Sequence, residues 1–147
     1  MIGRVLAIDL GEKRIGLALS DELGITAQAL PTYLRVELAK DLEHLVGIVR
    51  EKGVVTVLIG LPLMLDGSEG LAVERVRKFE EALKPVLPEH VAVAELDERM
   101  TTARAGKDLR PLGRHSTLRR QGELDRAAAQ LLLMAWLGRP SGPGLSA

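Results

Sequence analysis

Acidic side chains stand where apolar elements end: Asp9 inside the run VLAIDL, the neighbours Asp97 and Glu98 after VAVAEL, and Asp125 at the front of DRAAAQLLLMAWL. An ionised carboxylate flanked by Leu6, Ala7, Ile8 and Leu10 is expensive to desolvate. Carboxylates gathered in one place would hold protons at neutral pH unless a cation neutralised them. Oxygen ligands without His or Cys suit Mg²⁺ or Mn²⁺. Two such ions, about 3.5–4 Å apart, clamp the attacking and leaving oxygens of a phosphoryl displacement. Asp9, Asp97, Glu98 and Asp125 are therefore the candidate metal ligands. Each also has a plainer reading. Asp9 can bend the chain through Asx bonding in DLGE, Asp97–Glu98 can end a strand as an ion pair with Arg99, and Asp125 can cap a helix.

Positive charge near these acids points to a phosphate-bearing substrate. Lys13 and Arg14 adjoin Asp9 in sequence, Arg75 lies on a helical stretch, and Arg99 follows Glu98. From Arg104 to Arg120 the chain carries Arg104, Lys107, Arg110, Arg114, Arg119 and Arg120 against Asp108 alone. Flexible basic segments of this kind track phosphate backbones. Taken singly, Lys13, Arg14 and Arg75 are more often solvated surface than phosphate contacts; the segment 104–120 differs in its local basic excess.

The elements that would position the acids can be read from periodicity. RVLAIDL and RIGLALSD are strand-like runs joined by GEK, a link of hairpin length. GITAQALPTYL is a weaker third strand, expected to end near Pro31, a residue suited to an edge. In VELAKDLEHLVGIVREKG, residues Leu38, Leu42, Leu45, Val46 and Val49 recur at helical spacing, with Gly53 as the stop. VVTVLIG reads as a strand apolar on both faces, as in the parallel part of a sheet. Ser68 and Glu69 precede a second helix with a stripe of Leu71, Val76, Phe79 and Leu83, broken by Pro85 and Pro88. HVAVAELDER reads as another buried strand. A short helix running into a loop is expected over TTARAGKDLRPLGRHSTLRRQGEL, and the segment from Asp125 closes the fold as a helix. GRPSGPGLSA is too poor in apolar residues to pack and reads as a disordered tail.

Three strands followed by alternating helices and strands make an α/β fold, a mixed sheet with helices on its faces. Sites in such sheets form at the carboxyl ends of parallel strands, where the first strand and VAVAEL could both deliver acids. At 147 residues the chain fits one domain, 1–137, able to bury roughly 70% of its unfolded surface. A formal net charge of zero argues against a chain that grips nucleic acid over its whole surface. One Trp, one Tyr and one Phe leave few platforms for stacking bases. Without cysteine there is no disulfide framework, thiolate nucleophile or Cys-based metal site. No stretch reaches the ~18 apolar residues of a membrane span, and the start lacks a signal-like apolar core. A soluble cytoplasmic protein is expected.

Four ordered motifs, AIDLGEKRIGLALSD, IGLPLMLDGSEG, ELDERMTT and ELDRAAAQLLL, resemble the YqgF/RuvX family, RNase H-like proteins named as pre-16S rRNA nucleases and as Holliday junction resolvases. The resemblance spans residues 4–137. It implies an RNase H-like fold with a five-stranded mixed sheet, divalent-metal nuclease chemistry, and maturation of the 5′ end of 16S ribosomal RNA. Its partners would be RNA, structured or single-stranded DNA, or a pre-ribosomal particle. Carried over by motif, Asp9 is the first-strand ligand, Glu98 the second acid with Asp97 in reserve, and Asp125 the third. Glu123 departs from the basic residue many relatives hold two positions before that aspartate. Other readings are a junction-resolving DNA endonuclease, which would act as a dimer, and an RNA-binding assembly factor that does not cut. Asp9, Gly11 and Gly16 also resemble the phosphate loop of sugar kinases and actin-like ATPases, but the chain is too short for their two lobes. Monomer and homodimer both remain open.

Overall fold

The computed structural model describes residues 3–100 and 118–139, with side chains in the second segment from 127 onward. Strands β1 (Arg4–Leu10), β2 (Arg14–Ser20) and β3 (Ala27–Leu34) come first. Helix α1 (Leu38–Lys52), strand β4 (Val54–Leu61), helix α2 (Leu71–Leu83) and strand β5 (Ala92–Asp97) follow. A 3₁₀ turn over Glu98–Met100 ends β5, and helix α3 spans Leu118–Leu137. The sheet order is β3-β2-β1-β4-β5. β1, β2 and β3 pair antiparallel, and β1, β4 and β5 pair parallel.

Strand alternation sorts the core into two layers. Leu6 and Ile8 of β1, with Val57, Ile59 and Leu61 of β4, pack on Leu45 and Val49 of α1 and Val76, Phe79 and Leu83 of α2. The other face carries Val5, Ala7, Ala18 and Leu58 against Ala129 and Leu133 of α3. Gln130 Nε2 donates to the Ala27 carbonyl at 2.9 Å and ties α3 to the β3 edge. Helices therefore cover both faces, and β1 is sandwiched in the centre.

Several local expectations change. β3 continues past Pro31 to Leu34, because it is an edge strand and a register shift between Ile15 and Leu17 absorbs the missing donor. Leu38 and Leu71 are exposed rather than core. The buried face of α1 is instead Asp41, Leu45 and Val49, at i, i+4 and i+8. Ser68 and Glu69 precede α2 as expected, and Gly70 is its N-cap. Ser68 donates from its amide and hydroxyl to Asp66 Oδ1, at 2.9 and 2.6 Å, closing the β4–α2 loop. β5 is half-buried, as an outer strand must be. Gly53 ends α1 in the left-handed conformation, φ 66°, as its position predicted. The expected short helix and loop lie outside the described residues up to 117, but 118–124, expected in the loop, already belong to α3, so Asp125 stands inside the helix and does not cap it. Of the expected tail, Gly138 and Arg139 donate their amides to the Met134 and Trp136 carbonyls of α3, and residues from 140 lie outside the described residues.

Asp41 is buried because Arg35 meets it. The Arg35 Nε donates to Asp41 Oδ2 at 2.9 Å, and Nη1 donates to the Gly11 carbonyl at 3.0 Å. Burial raises the Asp41 pKa, but hydrogen bonds from the Val36 amide, Arg35 and Tyr33 outweigh it and hold the carboxyl below its ordinary value. One buried pair thus fastens the β1–β2 turn to the start of α1.

Glu80 of α2 is the contrasting case. Burial and a hydrogen bond with Glu95 of β5 push its pKa up to about 7. A raised carboxyl pKa contributes stability that is complete below the unfolded value, near 4.5, and is lost as pH rises through about 7. Glu80→Gln keeps the neutral form, so its Tm should exceed that of wild type at pH 8 by roughly 2–4 °C, with no gain at pH 4. Equal Tm differences at both pH values would show that Glu80 is not held protonated.

Candidate active site

The first acid sits at the carboxyl end of β1, the central strand, with 3% of its surface exposed. Alternation puts Asp9 on the α3 face with Val5 and Ala7. Its cross-strand neighbour on β2 is Gly16. On the other side Ile8 pairs with Ile59, so Gly60 is the next residue of β4 beside Asp9. A glycine on each flanking strand leaves a notch over the carboxylate. Asp9 Oδ1 is buried and accepts no hydrogen bond among the described residues. The bend reading of DLGE does not hold, since Asp9 lies within regular pairing and the turn is made by residues 11–13.

Glu98 enters the same notch. It follows Ala94 and Leu96 in alternation, which places it on the α3 face, and it is 2% exposed. A methyl on Gly60 would stand 2.8 Å from Glu98 Oε1 and 2.7 Å from Leu132 Cδ1 of α3. Glu98 and Leu132 therefore occupy the space that a side chain at 60 would fill. Register and alternation thus put the carboxylates of β1 and of the end of β5 on one face, on either side of Gly60 of β4.

Asp97 points the other way. Both its oxygens accept from the Arg99 guanidinium, at 2.7–3.2 Å, and Oδ1 also accepts the Arg99 amide at 2.8 Å. This is the ion-paired strand end that sequence reasoning weighed for the Asp97–Glu98 pair, realised at Asp97. Arg99 in turn reaches the Leu65 carbonyl at 3.4 Å, so its charge braces the β4–α2 loop.

Asp125 lies on α3, one and two turns before Ala128 and Leu132, both buried. Positions 125, 128 and 132 share a helix face at i, i+3 and i+7, the face that reaches Gly60. Its side chain, like those of Glu123, Arg119 and Arg120, lies outside the described residues, as do Arg104 and Arg114 altogether. Among the described residues no three acidic or histidine side chains form a metal-sized group, so the described part of the site is the pair Asp9 and Glu98. Lys13 is exposed in the hairpin link and Arg14 half-buried at the start of β2. Arg75 pairs with Glu12 at 2.8 Å with both side chains largely in solvent. Exposed pairs of this kind are weak, leaving Arg75 able to exchange Glu12 for a phosphate.

Sequence reasoning missed the two glycines beside Asp9 and the pair Arg35–Asp41 behind it. The glycines had a signal, since each interrupts a strand-like run, which marks close approach of another group. Asp41 had one as well, at helical spacing from Leu45 and Val49.

The donor set fits a hard divalent cation: two buried carboxylates on one face of the sheet, in a chain without cysteine. The arrangement is suited to phosphoryl chemistry at the carboxyl ends of β1, β4 and β5.

Comparison with known proteins agrees. The chain matches the family model described as "RuvX: Holliday junction resolvase" over residues 3–139. A protein of Syntrophus aciditrophicus (strain SB) is 43% identical over 134 residues, covering 91% of this chain and 87% of its own. One of Myxococcus xanthus (strain DK1622) is 42% identical over the same length and shares. Both carry the name "Putative pre-16S rRNA nuclease". Among solved structures, T. thermophilus RuvC in complex with Holliday junction substrate superposes with a TM-score of 0.59 at 16% identity, covering 92% of this chain and 96% of that one. The fowlpox virus resolvase with its junction DNA gives 0.52 at 11% identity, covering 91% and 96%. At these identities the likeness concerns the fold, which is the RNase H-like one expected.

Proposed function

Because the chain belongs to the RuvX family, and its relatives carry pre-16S rRNA nuclease names, we propose that it cleaves a phosphodiester at the 5′ end of precursor 16S ribosomal RNA, with Asp9, Glu98 and Asp125 as ligands for Mg²⁺ or Mn²⁺. The observation that carries this reading is that buried Glu98 fills the space over Gly60, the β4 residue that register sets beside buried Asp9. The names of the relatives supply the RNA substrate.

Divalent cations held there supply Lewis-acid stabilisation of charge developing on the phosphoryl oxygens. The chain supplies position. Asp9 is fixed by strands bonded on both sides of β1, and Glu98 is fixed by the 3₁₀ turn and by Leu132 beside it. Asp125, on α3, would be the third ligand. Asp97 has no ligand role; it holds Arg99 and so the loop bordering the site. Lys13, Arg14, Arg75 and the basic segment 104–120 bind the substrate backbone, which favours shape over sequence. Cytoplasmic location follows from the substrate, and no helix among the described residues is long and apolar enough to cross a membrane.

Junction resolution is the second reading, favoured by the family description. The test is cleavage of labelled single-stranded RNA, single-stranded DNA and a four-way junction with Mg²⁺, Mn²⁺ or EDTA. The proposal expects metal-dependent cutting of RNA. Preference for the junction, together with a dimeric native mass, would replace it with resolution. RNA binding without cutting of any substrate would replace it with an assembly factor.

A further inference from the structure

A cleft of about 800 Å³ opens at the same end of the sheet, on the side of α1 and α2, and Glu98 lines it. Its walls are of two kinds. Leu38, Met64 and Phe79 give it carbon surface, while Arg35, Arg75 and Lys78 give it positive charge. Leu38 and Met64 are about half exposed, although both are large and apolar. Phe79 is the only phenylalanine of the chain, and the Arg35 guanidinium lies over its ring, 5.5 Å from the centroid. Arg35 cannot swing away, since Asp41 and the Gly11 carbonyl hold it. A fixed guanidinium plane beside apolar walls is a stacking surface for a flat, weakly polar group. Among the described residues Arg75 and Lys78 pair with exposed glutamates, Glu12 at 2.8 Å and Glu74 at 3.6 Å, and a phosphate can displace such partners.

We propose that this cleft receives an unpaired nucleotide of the substrate strand, its base against Leu38, Met64 and the Arg35 guanidinium that Phe79 backs, and its phosphate on Arg75 and Lys78. Charge complementarity and continuity with the acids both favour this occupant: Glu98 borders cleft and notch alike, so a strand running through one enters the other. The inference rests on the nuclease reading for its choice of nucleic acid. It makes the enzyme selective for a cut beside an unpaired nucleotide, because a base held in a duplex stack cannot enter the cleft.

The test uses wild-type protein in EDTA, so that binding is read without cleavage. Fluorescence anisotropy compares a labelled short RNA duplex with blunt ends and the same duplex with unpaired terminal nucleotides. The unpaired form should bind about tenfold more tightly. Leu38→Gln, at the exposed first position of α1, and Lys78→Gln should each remove most of that preference, while Lys52→Gln at the far end of α1 should leave it. Adenosine 5′-monophosphate should compete with the unpaired RNA for wild type and not for Leu38→Gln. Equal binding of the two RNAs, or equal weakening of both by Leu38→Gln, overturns the proposal. Preference for unpaired RNA without metal-dependent cleavage would overturn the nuclease reading and leave the cleft standing; cleavage without the preference would do the reverse.

Discussion

Wild-type protein is expected to gain thermal stability in Mg²⁺ or Mn²⁺ and to cut nucleic acid, whereas Asp9→Asn is expected to fold normally and do neither. The argument begins with burial. Asp9 is 3% exposed, and a carboxylate there is costly without a counter-charge. A cation that binds only the folded chain stabilises it by RT ln(1 + [L]/Kd), about 1.4 kcal/mol at tenfold excess over Kd, or a Tm rise of roughly 3–6 °C. Asparagine has nearly the same shape but no charge, so the fold should survive and the metal response should vanish. Loss of a ligand that organises charge at the reacting phosphate should lower kcat by about 10²-fold or more. Differential scanning fluorimetry across a metal titration, paired with a cleavage assay, measures both effects. A full metal response in Asp9→Asn would remove Asp9 from the ligand set.

Gly60→Ala is expected to damage activity far more than stability. Its methyl would lie 2.7 Å from Leu132 Cδ1, 2.8 Å from Glu98 Oε1 and 3.2 Å from Glu98 Cγ. All three atoms belong to side chains that can turn aside, so the cost in stability should stay near 1–3 kcal/mol. The carboxylate cannot turn aside and keep its place over the notch. Small misplacement of a reacting or ligating group costs about 10²-fold in rate. We therefore expect kcat to fall by about that factor while circular dichroism remains that of wild type. Undiminished cleavage by Gly60→Ala would show that Glu98 acts from another position or not at all.

The sheet was legible because its strands alternate or run apolar in ways that fit only one layering, and the GEK link and Gly53 stop are local signals that tertiary contacts left alone. What could not be read was which apolar residues the core would take. Leu38 and Leu71 have the right spacing, but each stands at the first residue of its helix and is left exposed there. Asp41 replaced Leu38 in the buried stripe because Arg35, six residues earlier, neutralises it, and sequence spacing does not reveal that pairing. The choice between Asp97 and Glu98 turned on strand register, where one residue changes the face. The pairing Leu61↔Asp97 and the burial of Glu98 separate them.

The most direct measurement of the central claim is metal-dependent cleavage of labelled RNA by wild type, Glu98→Gln and Asp97→Asn side by side, each with its Tm. The acid pair at Gly60 predicts that Glu98→Gln loses activity by about 10²-fold or more with its fold intact, and that Asp97→Asn, though less stable for want of its Arg99 partner, stays within about tenfold of wild type at temperatures where it is folded. An inactive Asp97→Asn beside an active Glu98→Gln would contradict the account and move the site to the other face of β5.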